Sequence, residues 1–440
     1  MHSLEWHSTF LEIPSFVRHN PIRSAVCVGG GLVASCCIVK TLQKFLSDQG
    51  RREKIAKKRE SLEKQIASIS KKLSDLDELD LDELETIAAL PFDDLIAQLQ
   101  NGKITAAKAL LAYQSKAIAA HQQTNCITEF FSEAVNIAAD MDERYRRTGD
   151  EKPPLFGVPF SVKESIFVAG HDSTRGYAND LDNMRSTDAI LIARMREMGA
   201  IPFVQTNVPQ TLLSFGCSNP IYGTTTNPHS RARSSGGSSG GEGALIGCGG
   251  SPLGFGTDVA GSIRVPAHCC GIAGIKPTSA RISQVGLNRA TPGFQMLMAS
   301  VGPMAPSVSA LVAACRYLLG SYSRTDPFVA PIPFDENALK AEHALTVGFY
   351  EDDGYFEPVA ACKRVVLEAR DALLGKGHNV VRWSPPEVPR AIRLALSMTN
   401  MDGGRVLTDL VSRDIAEPFH KSMFAFYSWP NWFRRLLAVF

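Results

Sequence analysis

PHSRARSSGGSSGGEGALIGCGGSPLGFGTDVAGSIRVPAHCCGIAGIKPT, residues 228–278, is the stretch on which the reading of this chain turns. Between Gly236 and Gly256 it holds ten glycines in 21 residues. A flexible linker would also be rich in Gly and Ser. Linkers lack runs such as ALIG, PLGFGTD and IRVPAHCCGIAGI, which read as buried. Glycine at this density between apolar runs indicates tight turns and close backbone approach. A loop whose amides must point into a cavity needs both.

Two nucleotide-binding readings fail on this stretch. No G-x-x-x-x-G-K-[ST] is present, and Gly247-Cys248-Gly249 is followed by Pro252 where G-x-G-x-x-G requires glycine. G-x-S-x-G occurs twice in overlap, around Ser238 and around Ser239. In a nucleophile elbow that motif follows an apolar strand. Here it follows the polar segment His229–Ser235, so the elbow is the weaker of two hydrolase readings.

On either side the chain alternates helical and strand-like texture. Apolar residues recur at helical spacing over Leu84–Leu99, Ala106–Ala120, Phe130–Met141, Asp188–Met198, Ser307–Leu319 and Pro358–Leu374. Gly157–Phe167, Ala200–Val204, Leu345–Phe349 and Asn379–Val381 read as buried or half-buried strands. This alternation predicts an α/β fold, with helices covering a sheet.

The 440 residues suffice for a large domain and an appendage. Net charge is +1, which argues against a nucleic-acid partner. None of the ten cysteines forms a C-x-x-C pair, and no Cys/His cluster has zinc spacing. We expect a reducing compartment, no structural disulfide, no metal and no cofactor.

Ser24–Val39 is an uncharged run closed by Arg23 and Lys40. As a helix it is about 24 Å long, against a hydrocarbon core of roughly 30 Å. Arg23 and Lys40 can snorkel to extend it. The basic residues Lys40, Lys44, Arg51, Arg52, Lys54, Lys57, Lys58 and Arg59 follow, which places the C-terminal bulk in the cytosol. A membrane anchor is therefore expected. A secretory signal is disfavoured by the late start of the run. Ile55, Leu62, Ile69 and Leu76 then recur every seven residues, with Ile66 and Leu73 between them. Two readings of this short seam are open: packing on the main domain, or a homodimeric coiled coil. The expected organisation is a polar segment 1–22, a transmembrane helix 23–40, a charged helical linker 41–82 and a main domain 83–440.

GGSSGGEGALIG (236–247) with GTDVAGSIRVPA (256–267) resembles the signature of the amidase-signature family of serine hydrolases. GVPFSVKES (157–165), TNVPQTLLSFGCSNPIYGTTTNP (206–228) and GIAGIKPT (271–278) extend the likeness. Within the family the chain looks most like membrane-bound fatty acid amide hydrolases. The resemblance implies a mixed, twisted sheet with helices on both faces. It makes Ser262 the nucleophile, Ser238 the bridging serine and Lys163 the base, with a cis Gly237–Ser238 bond. Ser262 follows Lys163 by 99 residues and Ser238 by 24. The backbone amides of Val259, Ala260, Gly261 and Ser262 would form the oxyanion hole. Alanine at 260 replaces the family's usual glycine, which is tolerable only if φ is negative there. Asp258 is expected to accept loop amides, and Arg264 to pair with a buried carboxylate.

The chemistry is coherent without the name. A serine hydroxyl needs a base to remove its proton. Burial disfavours an ammonium, so a lysine in an apolar strand can be held neutral and serve.

The last segment, FAFYSWPNWFRRLLAVF (424–440), mixes aromatic, aliphatic and basic residues as an interfacial helix does. With the N-terminal run it favours a lipid amide drawn from a bilayer. Leu212, Leu213 and Phe215 are candidates to line an acyl tunnel. Chains of the family continue past this length, so exposed apolar surface and marginal stability are expected. Fatty acid amide hydrolysis at an intracellular membrane is the leading reading. A soluble amidase or amidotransferase subunit, and a catalytically dead membrane scaffold, are the alternatives.

Overall fold

The computed structural model describes residues 21–290, 297–320, 325–340, 342–418, 421, 429 and 433. The side chains of residues 21–38, 40 and 41 lie outside the described residues, as do all but two positions of the segment 424–440. The contacts divide the chain into two compact units, Met1–Lys54 and Ile55–Phe440.

Helix α1 spans Pro21–Ser74. In the first unit the uncharged run is helical backbone. Among the described residues no helix is long and apolar enough to cross a membrane.

In the second unit the heptad seam of α1 is taken up by the domain itself. Leu62 and Ile69 are buried in the main core, with Ile66, Leu73 and Leu76 half-buried against it. Ile55 is buried beside Ala178, Leu181, Ile221 and Tyr222. Gln65 Oε1 accepts the Phe130 N–H at 2.9 Å, and Lys58 Nζ donates to Glu129 Oε2 at 2.8 Å. The period-seven pattern is therefore an amphipathic face packed on the domain, the first of the two readings.

The segment expected as one helix over Leu84–Leu99 is two, Glu78–Ala88 and Phe92–Gln100. Pro91 separates them, because a proline inside a helix removes an N–H and clashes with the preceding turn. Helix α2 follows at Ala106–Thr124, capped by Thr105, whose side chain accepts the Lys108 N–H. The helical reading of Phe130–Met141 begins too early. Strand β1 occupies Ile127–Phe130, and the helix starts at Ala134.

β1 opens a six-stranded sheet. Its other strands are β2 (Pro159–Lys163), β3 (Ile201–Thr206), β4 (Gly254–Asp258), β5 (Ala273–Gly274) and β6 (Ser300–Ala305). The order is β1-β3-β2-β4-β6-β5. β2 runs parallel to both β3 and β4, and the remaining pairs are antiparallel, so the sheet is mixed. Every residue of β2 and β3 is buried. Successive strand side chains point to opposite faces, so both faces of these central strands are covered. Helices α3 (Gly240–Gly247) and α4 (Arg264–Cys270) follow the two serine-bearing loops.

Thr346–Phe349 and Asn379–Arg382 form a separate two-stranded parallel pair. Helices α5 (Ala360–Gly375) and α6 (Val388–Thr399) of this region have no buried residue. Phe356, Val359, Trp383, Leu396 and Met401 are all exposed.

Candidate active site

The site is built on the ends of two neighbouring strands. Register pairs Val162 of β2 with Phe255 of β4, which brings Lys163 alongside Thr257. Lys163 is wholly buried. Its Nζ lies 2.9 Å from Ser238 Oγ and 2.8 Å from Thr257 Oγ1. Burial pulls the Lys163 pKa down to about 7. As an ammonium it donates to both hydroxyls. As a neutral amine it keeps two N–H donors and gains a lone pair that can accept the Ser238 proton.

Ser238 sits just before α3, after a cis Gly237–Ser238 bond, as the resemblance implied. The Ser239 N–H donates to the Ser262 carbonyl at 3.0 Å, which fixes the two serine loops to each other.

The Ser262 loop is clamped from within. Asp258, at the end of β4, is fully buried. Its Oδ1 accepts the Gly261 N–H at 2.7 Å, and its Oδ2 accepts the N–H groups of Ile263 at 3.1 Å and Arg264 at 3.3 Å. The Arg264 guanidinium completes the clamp from Nε and Nη2, both at 3.0 Å. Burial pushes the Asp258 carboxyl up, but Arg264 and the loop amides outweigh it and hold the pKa below the usual range. The buried carboxylate expected for Arg264 is thus the same Asp258 expected to take the loop amides.

This clamp bears on the amides expected to face an oxyanion. The Gly261 N–H is already committed to Asp258, so it does not face the cavity as a free donor. Gly261 has φ +129°, a region that L side chains rarely adopt, and that is its own reason for being glycine. Ala260 is not among the described residues with positive φ, so alanine is unstrained there. Of the four amides expected at the oxyanion hole, those of Val259, Ala260 and Ser262 are not held by Asp258.

Two participants escaped the sequence reading. Thr257 lies inside the quoted motif, yet nothing in its residue type marked it as a partner of Lys163. Glu242 was passed over within GGSSGGEGALIG. It is fully buried, accepting Ser161 Oγ at 2.6 Å and Thr206 Oγ1 at 2.8 Å. Burial pushes its pKa up to about 7, so it is half-neutral near neutral pH. Gly254 makes room for it, because a Cβ there would run into the Glu242 carboxylate and lie 2.5 Å from Ser161 Oγ.

Ser238, Thr257, Val259, Ala260 and Ser262 open into one cavity of about 260 Å³. Leu212, Leu213 and Phe215 line it from one side, and Leu287, Asn288, Arg289 and Leu297 are among those that close it. Leu212 is buried, whereas Phe215 is 61% exposed. Phe215 therefore stands at the rim rather than inside a tunnel. Among the described residues no group of His, Cys, Asp and Glu could hold a metal ion.

Comparison with known proteins gives the same grouping. The Amidase family pattern matches residues 108–431. The chain is 41% identical over 385 residues to fatty acid amide hydrolase 1 of Caenorhabditis elegans, covering 87% of this chain and 67% of that protein. It is 37% identical over 415 residues to fatty-acid amide hydrolase 1 of Sus scrofa, covering 93% and 70%. A solved structure of a fatty acid amide hydrolase superposes with a TM-score of 0.75 at 27% identity, covering 88% of this chain and 73% of that one. With the family pattern over most of its length and relatives of this similarity, the chain belongs to the amidase family.

Proposed function

We propose that this chain hydrolyses fatty acid amides through Ser262, Ser238 and Lys163. The observation that carries the reading is a wholly buried lysine, 2.9 Å from a serine that shares an apolar cavity with a second serine. In this reading neutral Lys163 takes the Ser238 proton while Ser238 takes that of Ser262. The Ser262 Oγ then bonds the amide carbon. The oxyanion formed faces the amides of Val259, Ala260 and Ser262. The relay returns its proton to the departing nitrogen as the C–N bond breaks, leaving an ester on Ser262 and a free amine. Water, deprotonated through the same relay, attacks the ester and releases the fatty acid. No cofactor is required. The leucine-lined walls and the names of the relatives support a long acyl chain, with Leu212 and Leu213 as its wall and Phe215 at its entry.

The test is covalent labelling by a fluorophosphonate probe. Labelling should be blocked more strongly by a long-chain acyl amide than by a short-chain one, and Phe215→Ala should narrow that difference. A folded protein that takes up no probe would sink the triad and leave the scaffold reading in its place.

We further propose that residues 23–40 attach the chain to an intracellular membrane with the catalytic unit in the cytosol. The uncharged run between Arg23 and Lys40, its helical backbone and the basic residues after it support this. Recovery of the whole protein in the soluble fraction without detergent would refute it.

A further inference from the structure

We propose that Arg289 selects amides whose leaving amine carries a carboxylate, that is, N-acyl amino acids. The inference rests on the amide-hydrolase reading above and sharpens its substrate class. Among the described residues lining the cavity, Arg289 is the only charged one. No carboxylate lines the cavity with it, and no ion pair engages its guanidinium among the described residues. Among the described residues its one side-chain bond is a long one, from Nη2 to Gln284 Oε1 at 3.3 Å. A guanidinium has five N–H donors in a rigid fork that matches a carboxylate. Most of that fork has no partner among the described residues.

The backbone beneath it is well anchored. The Arg289 carbonyl accepts Arg175 Nη1 at 3.1 Å. Arg175 in turn pairs with Asp180 at 2.8 Å and gives its own N–H to Glu164, the residue after Lys163, at 3.0 Å. Asn288 is held by the Ser165 carbonyl at 2.8 Å and by its side chain on the Ser173 carbonyl at 2.7 Å. The corner is thus braced against the strand end that carries the base, while the guanidinium itself stays exposed. A neutral amine has no use for such a group. An anionic one, on an amide whose carbonyl lies at Ser262, would meet it with a bidentate, charge-assisted pair.

The experiment compares N-oleoylglycine with N-oleoylethanolamine, which share an acyl chain and differ in amine charge. The full-length protein is assayed in detergent micelles, as parent, Arg289→Gln and Arg289→Lys. We expect the ratio of kcat/KM for the glycine conjugate over the ethanolamine conjugate to fall about threefold to fivefold in Arg289→Gln, the size of one exposed charge contact. Arg289→Lys should retain part of the ratio, and raising salt should erode the parent's ratio. A ratio unchanged in Arg289→Gln overturns the proposal, whether the two rates hold or fall together. Free oleate is the rival source of a carboxylate. If Arg289→Gln weakens oleate inhibition and leaves the ratio alone, Arg289 reads the product and the proposal fails. A parent that takes the fluorophosphonate probe yet hydrolyses neither amide overturns the substrate class together with this assignment. A parent that takes no probe overturns the serine mechanism itself.

Discussion

Lys163→Met is expected to abolish turnover and yet leave the protein at least as stable as the parent at pH 7. Burial depresses the Lys163 pKa from 10.5 to about 7. The unfolded chain therefore binds the proton over that whole interval, while the folded one does not. For a base so depressed, the penalty on the folded state is complete below about pH 7. It is relieved as pH rises toward 10.5. At pH 7 it is on the order of 4 kcal/mol. Methionine removes it. The substitution strands the Ser238 and Thr257 hydroxyls, which costs about 1–3 kcal/mol at any pH. The stability advantage of Lys163→Met over the parent should thus be greatest in mild acid and shrink steadily toward pH 10. Denaturant titrations at several pH values measure this directly. An advantage that does not change with pH would mean the folded lysine is not depressed, and its role as base would be dropped. The same titration shapes activity: kcat/KM of the parent should fall about tenfold per pH unit below 7 and level off above it.

Ser262→Ala and Ser238→Ala should separate by orders of magnitude. The first removes the atom that bonds the acyl group, and turnover should fall about 10⁶-fold, with probe labelling gone. The second removes a proton carrier only. A water could occupy the space between Lys163 Nζ and Ser262, so a loss of about 10²–10⁴ is expected, with slow labelling retained. Rapid-quench measurement of acyl-enzyme formation distinguishes them. Equal losses would show that the bridging hydroxyl is irreplaceable, and the reverse order would exchange the roles of the two serines.

The parts of this molecule that follow local rules were legible beforehand. The glycine-dense stretch 228–278 announced backbone running close to backbone. Lys163 at the end of a largely apolar strand announced a depressed base. Strand and helix positions beyond residue 190 agree with their periodicity to within about two residues. What periodicity could not arbitrate was settled by partners distant in sequence. The seam of Leu62 and Ile69 looks the same whether it meets a second helix or its own sheet edge, and only the lock of Lys58 and Gln65 onto β1 distinguishes them. Phe130 reads as the start of a helix because it is spaced like the apolar residues that follow, but pairing of Ile127–Phe130 with β3 outweighs that preference. Thr257 became visible only through the pairing of β2 with β4. Arg289 belongs to no motif, and it lies at the site because the loop after residue 283 is pinned to Ser165 and Ser173. The hold of Asp258 on the Gly261 amide follows from how the loop folds back on the end of β4, which residue type alone does not show.

The division of labour inside the cavity has a further consequence. The atoms proposed to do chemistry hang from the ends of β2 and β4 and from two loops bound to each other through Ser239 and Ser262. The walls that would meet the acyl chain and the amine come from other segments, among the described residues 212–215, 287–290, Leu297 and Ala299. Side chains on those walls can change while the backbone contacts that brace the proton path, such as Asn288 N–H on the Ser165 carbonyl, are kept. A lineage can therefore exchange one amide for another by recutting the walls, with the reaction kept running throughout. A directed library confined to Leu212, Leu213, Phe215, Leu287 and Arg289 would sample new selectivities while sparing the reactive core.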